Sequence, residues 1–70
     1  MEELRAPMVG RIIEVLVEAG ARVEEEDEVL VLESMKMQIP IAAPRGGTIS
    51  DIRVKPGDTV QEGDILLVFG

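Results

Sequence analysis

The chain has 70 residues, 46% of them hydrophobic and 30% charged, with a net charge of −7 at neutral pH. This balance fits one small folded unit over residues 1–70 and excludes a disordered chain, and the acidity argues against a phosphate-binding surface and so against nucleic acid as a partner. With no Cys and no His, disulfides, thiol chemistry, thiolate or imidazole metal sites and imidazole catalysis are all excluded, and no metal is expected.

The chain opens on Met1-Glu2-Glu3, an acidic start without the basic and apolar pattern of a signal peptide, so a cytoplasmic address is expected. The longest apolar runs, Val29–Leu32 and Ile65–Phe69, are far too short to span a bilayer, and no membrane partner is expected. The core must be aliphatic, because nine Val, seven Ile and six Leu stand against a single Phe.

From Ala6 onward an internal repeat organises the sequence. A shift of 37 positions lays Ala6–Leu32 on Ala43–Phe69 without a gap, with identities at 11 of 27 positions, among them Ala6/Ala43, Pro7/Pro44, Gly10/Gly47, Gly20/Gly57 and Asp27/Asp64. Neither half can bury a core alone, so residues 6–32 and 43–69 should combine into one β-barrel or sandwich with approximate twofold symmetry. Val and Ile dominate both halves, and Gly or Pro punctuates them every few residues, which is the pattern of strands.

In the first strand region Ile12, Val15 and Val17 are spaced by three and then two, as are Ile49, Ile52 and Val54 in the second half. One extra residue in an alternating pattern predicts a β-bulge, near Glu14 and its counterpart Asp51. Glu18-Ala19-Gly20-Ala21 and Lys55-Pro56-Gly57-Asp58 read as type II turns, with Gly supplying positive φ. Gln61-Glu62-Gly63-Asp64 is a third such turn. Its counterpart Glu24-Glu25-Glu26-Asp27 carries Glu26 where Gly is expected, inside an acidic run, Glu24–Glu28, that reads as solvated surface.

Between the halves, residues 33–38, lies Glu33-Ser34-Met35-Lys36-Met37-Gln38. If Met35 and Lys36 form the centre of a two-residue hairpin, Ser34 faces Met37, Leu32 faces Ile39 and Leu30 faces Ile41, so apolar residues meet on one face. Pro40 then demands an edge strand. Such turns favour Asn-Gly, since both central residues need positive φ. Met-Lys breaks that local rule, which marks the tip as a candidate for function.

Glu33-Ser34-Met35-Lys36-Met37 resembles the Glu-Ala-Met-Lys-Met signature of the biotinyl/lipoyl attachment domain family, with Ser34 in the place of Ala. Ala6-Pro7-Met8-Val9-Gly10, Gly20…Val23, Ala43-Pro44…Gly46-Gly47 and Lys55-Pro56-Gly57-Asp58-Thr59-Val60…Gly63-Asp64 also match, in order, over residues 5–69. The resemblance implies an all-β fold: a flattened barrel, or barrel-sandwich hybrid, of two four-stranded antiparallel sheets with the modified lysine on a protruding hairpin. It further implies a biotin carboxyl carrier, not catalytic alone, whose Lys36 receives covalent biotin from a biotin protein ligase through biotinyl-adenylate. The tethered biotin would carry carboxylate between biotin carboxylase and carboxyltransferase sites. Met35 lies in the turn and Met37 beside it, where burial is limited, so both read as recognition contacts flanking the lysine. Glu33 corresponds to a residue that guides modification in the lipoyl branch. A monomer is expected in isolation.

Two other readings stay open. A lipoyl carrier, or one taking both biotin and lipoate, has the same fold, although lipoyl domains place Asp before the lysine and a small residue after it. A non-carrier interaction module would keep the barrel without using the lysine. An enzyme acting alone through a Schiff-base lysine is disfavoured, because a hairpin tip offers no desolvated pocket. The gapless repeat leaves no room for a protruding loop between Glu18 and Ala21, so the chain resembles the loop-free carriers of pyruvate and propionyl carboxylases.

Overall fold

A computed structural model describes residues 2–70. Eight strands follow one another: β1 (Glu2–Arg5), β2 (Gly10–Val15), β3 (Arg22–Val23), β4 (Glu28–Ser34), β5 (Met37–Ala42), β6 (Gly47–Ile52), β7 (Thr59–Val60) and β8 (Ile65–Phe69). They form two four-stranded antiparallel sheets, ordered β1-β8-β6-β3 and β5-β4-β2-β7, in a body of 30 × 18 × 17 Å.

The 37-residue shift carries one sheet onto the other, β5 onto β1, β4 onto β8, β2 onto β6 and β7 onto β3. It therefore reaches back to Glu2–Arg5, where the sequences of the two copies share no identity. The short strands β3 and β7 each join the sheet built mainly from the opposite half, so neither half is a separate body. Backbone hydrogen bonds repeat in pairs across the two copies. Gly20 N donates to Ile49 O at 2.7 Å, as Gly57 N does to Ile12 O at 2.8 Å; Ala6 N donates to Asp64 O at 2.8 Å, as Ala43 N does to Asp27 O at 2.7 Å. These bonds clasp each half to the other.

Both expected bulges are present. The β2–β4 register slips between Ile12 and Glu14, and the β6–β8 register slips between Ile49 and Asp51. The extra residue lets Ile12 and Ile49 stay fully inside while Glu14 and Asp51 stay in water. The core joins them to Val29, Leu30, Leu32, Leu66, Leu67 and Phe69, with no buried charged or polar side chain among the described residues.

The turns close as their sequences require. Ala21 N reaches Glu18 O at 3.0 Å and Asp58 N reaches Lys55 O at 3.1 Å, with Gly20 at φ 93° and Gly57 at φ 96°. Asp27 N likewise reaches Glu24 O at 3.1 Å, and Glu26 takes φ 76° where its counterpart Gly63 has φ 89°. The carboxylates of Asp27, Asp58 and Asp64 each accept from the backbone N–H three residues earlier, at 2.8, 3.0 and 2.8 Å.

A left-handed L-residue costs about 1–2 kcal/mol, and the extra freedom of Gly in the unfolded chain offsets about 0.5–1 of that. Glu26→Gly should thus stabilise the fold by about 0.5–1 kcal/mol and raise Tm by a few degrees in calorimetry. The mirror change, Gly63→Ala, should lower Tm by a similar amount, because a Cβ there meets nothing within 4 Å and backbone strain acts alone. Equal melting for Glu26→Gly and the parent would refute the strain at this turn.

Candidate functional site

Strand β4 lies inside its sheet, between β5 and β2, and its Val29, Leu30 and Leu32 are wholly buried. It pairs with β5 from Glu28↔Ala42 to Ser34↔Met37, with Leu32 opposite Ile39 and Leu30 opposite Ile41, which is the register read from the apolar pattern. Pro40 is exposed on the edge strand, where its missing N–H leaves no ladder bond unmade.

Met35 and Lys36 form the two-residue connection, with φ of 52° and 67°. Both sit in the left-handed region, as a type I′ hairpin requires, at about 1–2 kcal/mol per non-glycine residue. Together with Glu26 they are the non-glycine residues of positive φ among those described. The tip holds this conformation because its base is over-determined: β4 is paired on both sides and its apolar face is sealed. Gly10 adds to that frame, for it lies so close beneath β4 that a Cβ there would stand 2.7 Å from Glu33 O.

The side chains at the tip face water. Met35 is 92% exposed and Met37 66%, and Lys36 is exposed as well. Among the described residues Lys36 joins no ion pair, so its ammonium is committed to no partner within the chain. Glu33 is half-buried, opposite Gln38 on one side and Arg11 on the other. No cluster of His, Cys, Asp or Glu fit to hold a metal occurs among the described residues. An open groove of about 520 Å³ lies elsewhere, between Arg5, Arg53, Asp58 and Asp64.

The opposite end of the molecule holds the base of this hairpin. There Ala43 N bonds Asp27 O, Val23 pairs with Gly47, and Gly47 packs on Phe69, whose neighbour across the sheet is Glu2. The acidic turn Glu24–Asp27 belongs to that end, with Glu26 N donating to Ala43 O at 2.9 Å, and not to the lysine tip. Sequence reasoning singled out Met35 and Met37 but passed over Met8 and Val9, which are also exposed and sit just before Gly10. The available signal was an apolar pair in a Pro-containing loop beside the tip strand.

The fold and tip define a presenting scaffold: a stiff β-body holding the Lys36 amine outward at a hairpin tip, with no enclosure around it. The family described as "Biotin-requiring enzyme" (Biotin_lipoyl) matches residues 2–69. The chain is 50% identical over 60 residues to the biotin/lipoyl attachment protein of Bacillus subtilis, covering 86% of this chain and 82% of that one. It is 40% identical over 68 residues to the biotinylated protein TB7.3 homolog of Mycobacterium leprae, covering 97% and 96% of the two chains. A single-chain, multi-domain long-chain acyl-CoA carboxylase contains a region that superimposes with a TM-score of 0.91 at 43% identity, covering 97% of this chain and 7% of that one. This chain belongs to the biotin/lipoyl attachment family.

Proposed function

We propose that the chain is a biotin carboxyl carrier with Lys36 as its attachment site. The observation that supports this most directly is the Met35-Lys36 turn, which keeps two non-glycine residues in left-handed geometry and leaves the lysine amine uncommitted in water. The donor set fits the group, because an amide to biotin needs one accessible primary amine and nothing more from the carrier. Forming an amide at this amine releases a proton, which a biotin protein ligase must accept. The deprotonated Nζ then attacks the activated carboxyl of biotin, the amide bond forms, and AMP departs.

Lys36 would hold biotin, whose ureido ring would supply the acceptor for a carboxyl group at a biotin carboxylase site and its donor at a carboxyltransferase site. Lys36 contributes reach, and the paired β4 and β5 keep that reach directed away from the barrel. Tethering converts two bimolecular encounters into local ones at high effective concentration. Met35 and Met37 offer soft, adaptable contact to the enzymes that act at the tip, and Glu33, half-buried at the end of β4, is assigned the guiding of modification. The chain has no enclosed reaction site at Lys36 and acts as a carrier, not as a catalyst alone.

The name of the Bacillus subtilis relative favours one further reading, modification by lipoate as well as biotin. Intact-mass spectrometry and streptavidin blotting of protein from its natural host test both. The expected result is one biotinyl increment on the parent and none on Lys36→Arg, which keeps the charge and removes the site. A lipoyl increment without a biotinyl species, or labelling that survives Lys36→Arg, would overturn the assignment.

A further inference from the structure

Five large apolar side chains are exposed among the described residues: Met8, Val9, Leu16, Met35 and Met37. Four of them are at the lysine end. Met35 and Met37 belong to the hairpin, whereas Met8 and Val9 come from the β1–β2 loop, which enters β2 at Gly10 against the backbone of Glu33. That loop is fixed at both ends. Ala6 is buried, donates to Asp64 O at 2.8 Å and accepts from Gly63 N at 2.9 Å, and Gly10 pairs with Val60. The exposure of Met8 (37%) and Val9 (53%) is therefore built into the frame.

The repeat supplies an internal comparison. The same loop on the same frame recurs at the far end as Ala43-Pro44-Arg45-Gly46-Gly47, with Arg45 in the place of Met8 and Gly46 in the place of Val9. Arg45 is used within the chain, since its guanidinium lies 5.0 Å from the centre of the Phe69 ring and pairs with Glu2. At the lysine end the equivalent positions carry apolar side chains, Met8 37% and Val9 53% exposed, and neither belongs to the core cluster. Any enzyme that acylates Lys36 must approach the surface beside it, which makes these residues continuous with that contact.

We infer that Met8 and Val9 form the second half of an apolar contact surface, with Met35 and Met37, through which the lysine-acylating enzyme grips the tip. The inference rests on the carrier reading and adds to it the residues outside the hairpin that the enzyme binds. Its occupant is an apolar wall at the mouth of that enzyme's active site, reached as Lys36 enters.

The test is steady-state biotinylation of the full chain by a biotin protein ligase, with carrier concentration varied. The double variant Met8→Arg with Val9→Gly installs what the chain itself carries at the equivalent far-end positions. It should raise KM for the carrier about tenfold with kcat nearly unchanged, as loss of uniform binding does. Leu16→Ser, which removes the exposed apolar residue outside the tip, should leave both constants alone. Should the double variant melt below the assay temperature, Met8→Gln with Val9→Thr keeps the shape and tests the same contact. An unaltered KM in a folded variant overturns the inference while leaving the carrier reading intact. Absence of biotinylation in the parent chain would instead overturn the carrier reading itself.

Discussion

Phe69→Ala should remove most of the stability of the fold. Phe69 is the single aromatic residue, is wholly buried, and packs so closely on Gly47 that a Cβ there would lie 3.2 Å from its ring. Truncating a buried Phe costs about 3–5 kcal/mol, from lost transfer energy and from the cavity left behind. A domain of this size has about 4–10 kcal/mol in total at 0.05–0.15 kcal/mol per residue. Strand β8, which carries Phe69, is bonded to both β1 and β6, so the surrounding backbone cannot collapse into the hole without breaking a sheet. Denaturant unfolding at equilibrium measures the loss, and a cost below about 1 kcal/mol would contradict this packing. Because β3 and β7 are exchanged between the halves, the hairpin end should unfold in the same transition although Phe69 lies at the other end.

Gly10→Ala should be the second severe change, and it should reach the tip directly. The added methyl would stand 2.7 Å from Glu33 O and 2.8 Å from Leu32 Cδ1. The first is backbone of a strand paired on both sides, and the second belongs to a wholly buried side chain, so neither yields easily. Overpacking of this kind costs about 1–3 kcal/mol, and the smaller gain from stiffening the unfolded chain, about 0.4–1 kcal/mol, does not cancel it. The displaced carbonyl sits three residues before Lys36, so backbone amide shifts should cluster at residues 33–38 and biotinylation should slow. At the equivalent position Gly47→Ala meets the far end of the Arg45 side chain at 3.0 Å and the Phe69 ring at 3.2 Å, and no backbone atom as close. That change should cost less than Gly10→Ala, and a reversed order in chemical denaturation would contradict the close approach of β2 to β4.

Much of this architecture could be read in advance because it is written in local periodicity. The three-then-two spacing of Ile12, Val15 and Val17 placed the bulge, since burial of Ile12 with exposure of Glu14 is met only by an extra residue between them. The same applies to the β4–β5 register: a slip of one residue would have turned Leu30 and Leu32 to water and Glu33 inward. Glu26 stands where the repeat has Gly63, and the turn holds it in the same left-handed region, at φ 76°.

The sequence by itself determined the two-fold plan, the turns, and the hairpin that holds Lys36 at its centre, because each depends on neighbours in the chain or on the fixed offset between copies. Only the tertiary structure decided how the strands beyond the β4–β5 hairpin are shared between the two sheets. Strands β3 and β7 are two residues long and carry too little pattern to declare a partner, and their exchange between halves follows from closing the barrel around a common core. The placing of Met8 and Val9 at the same end of the fold as the lysine hairpin was decided in the same way. Segments so far apart in the chain reach the same end only when β2 pairs with β4 through a contact that leaves no space for a side chain at Gly10.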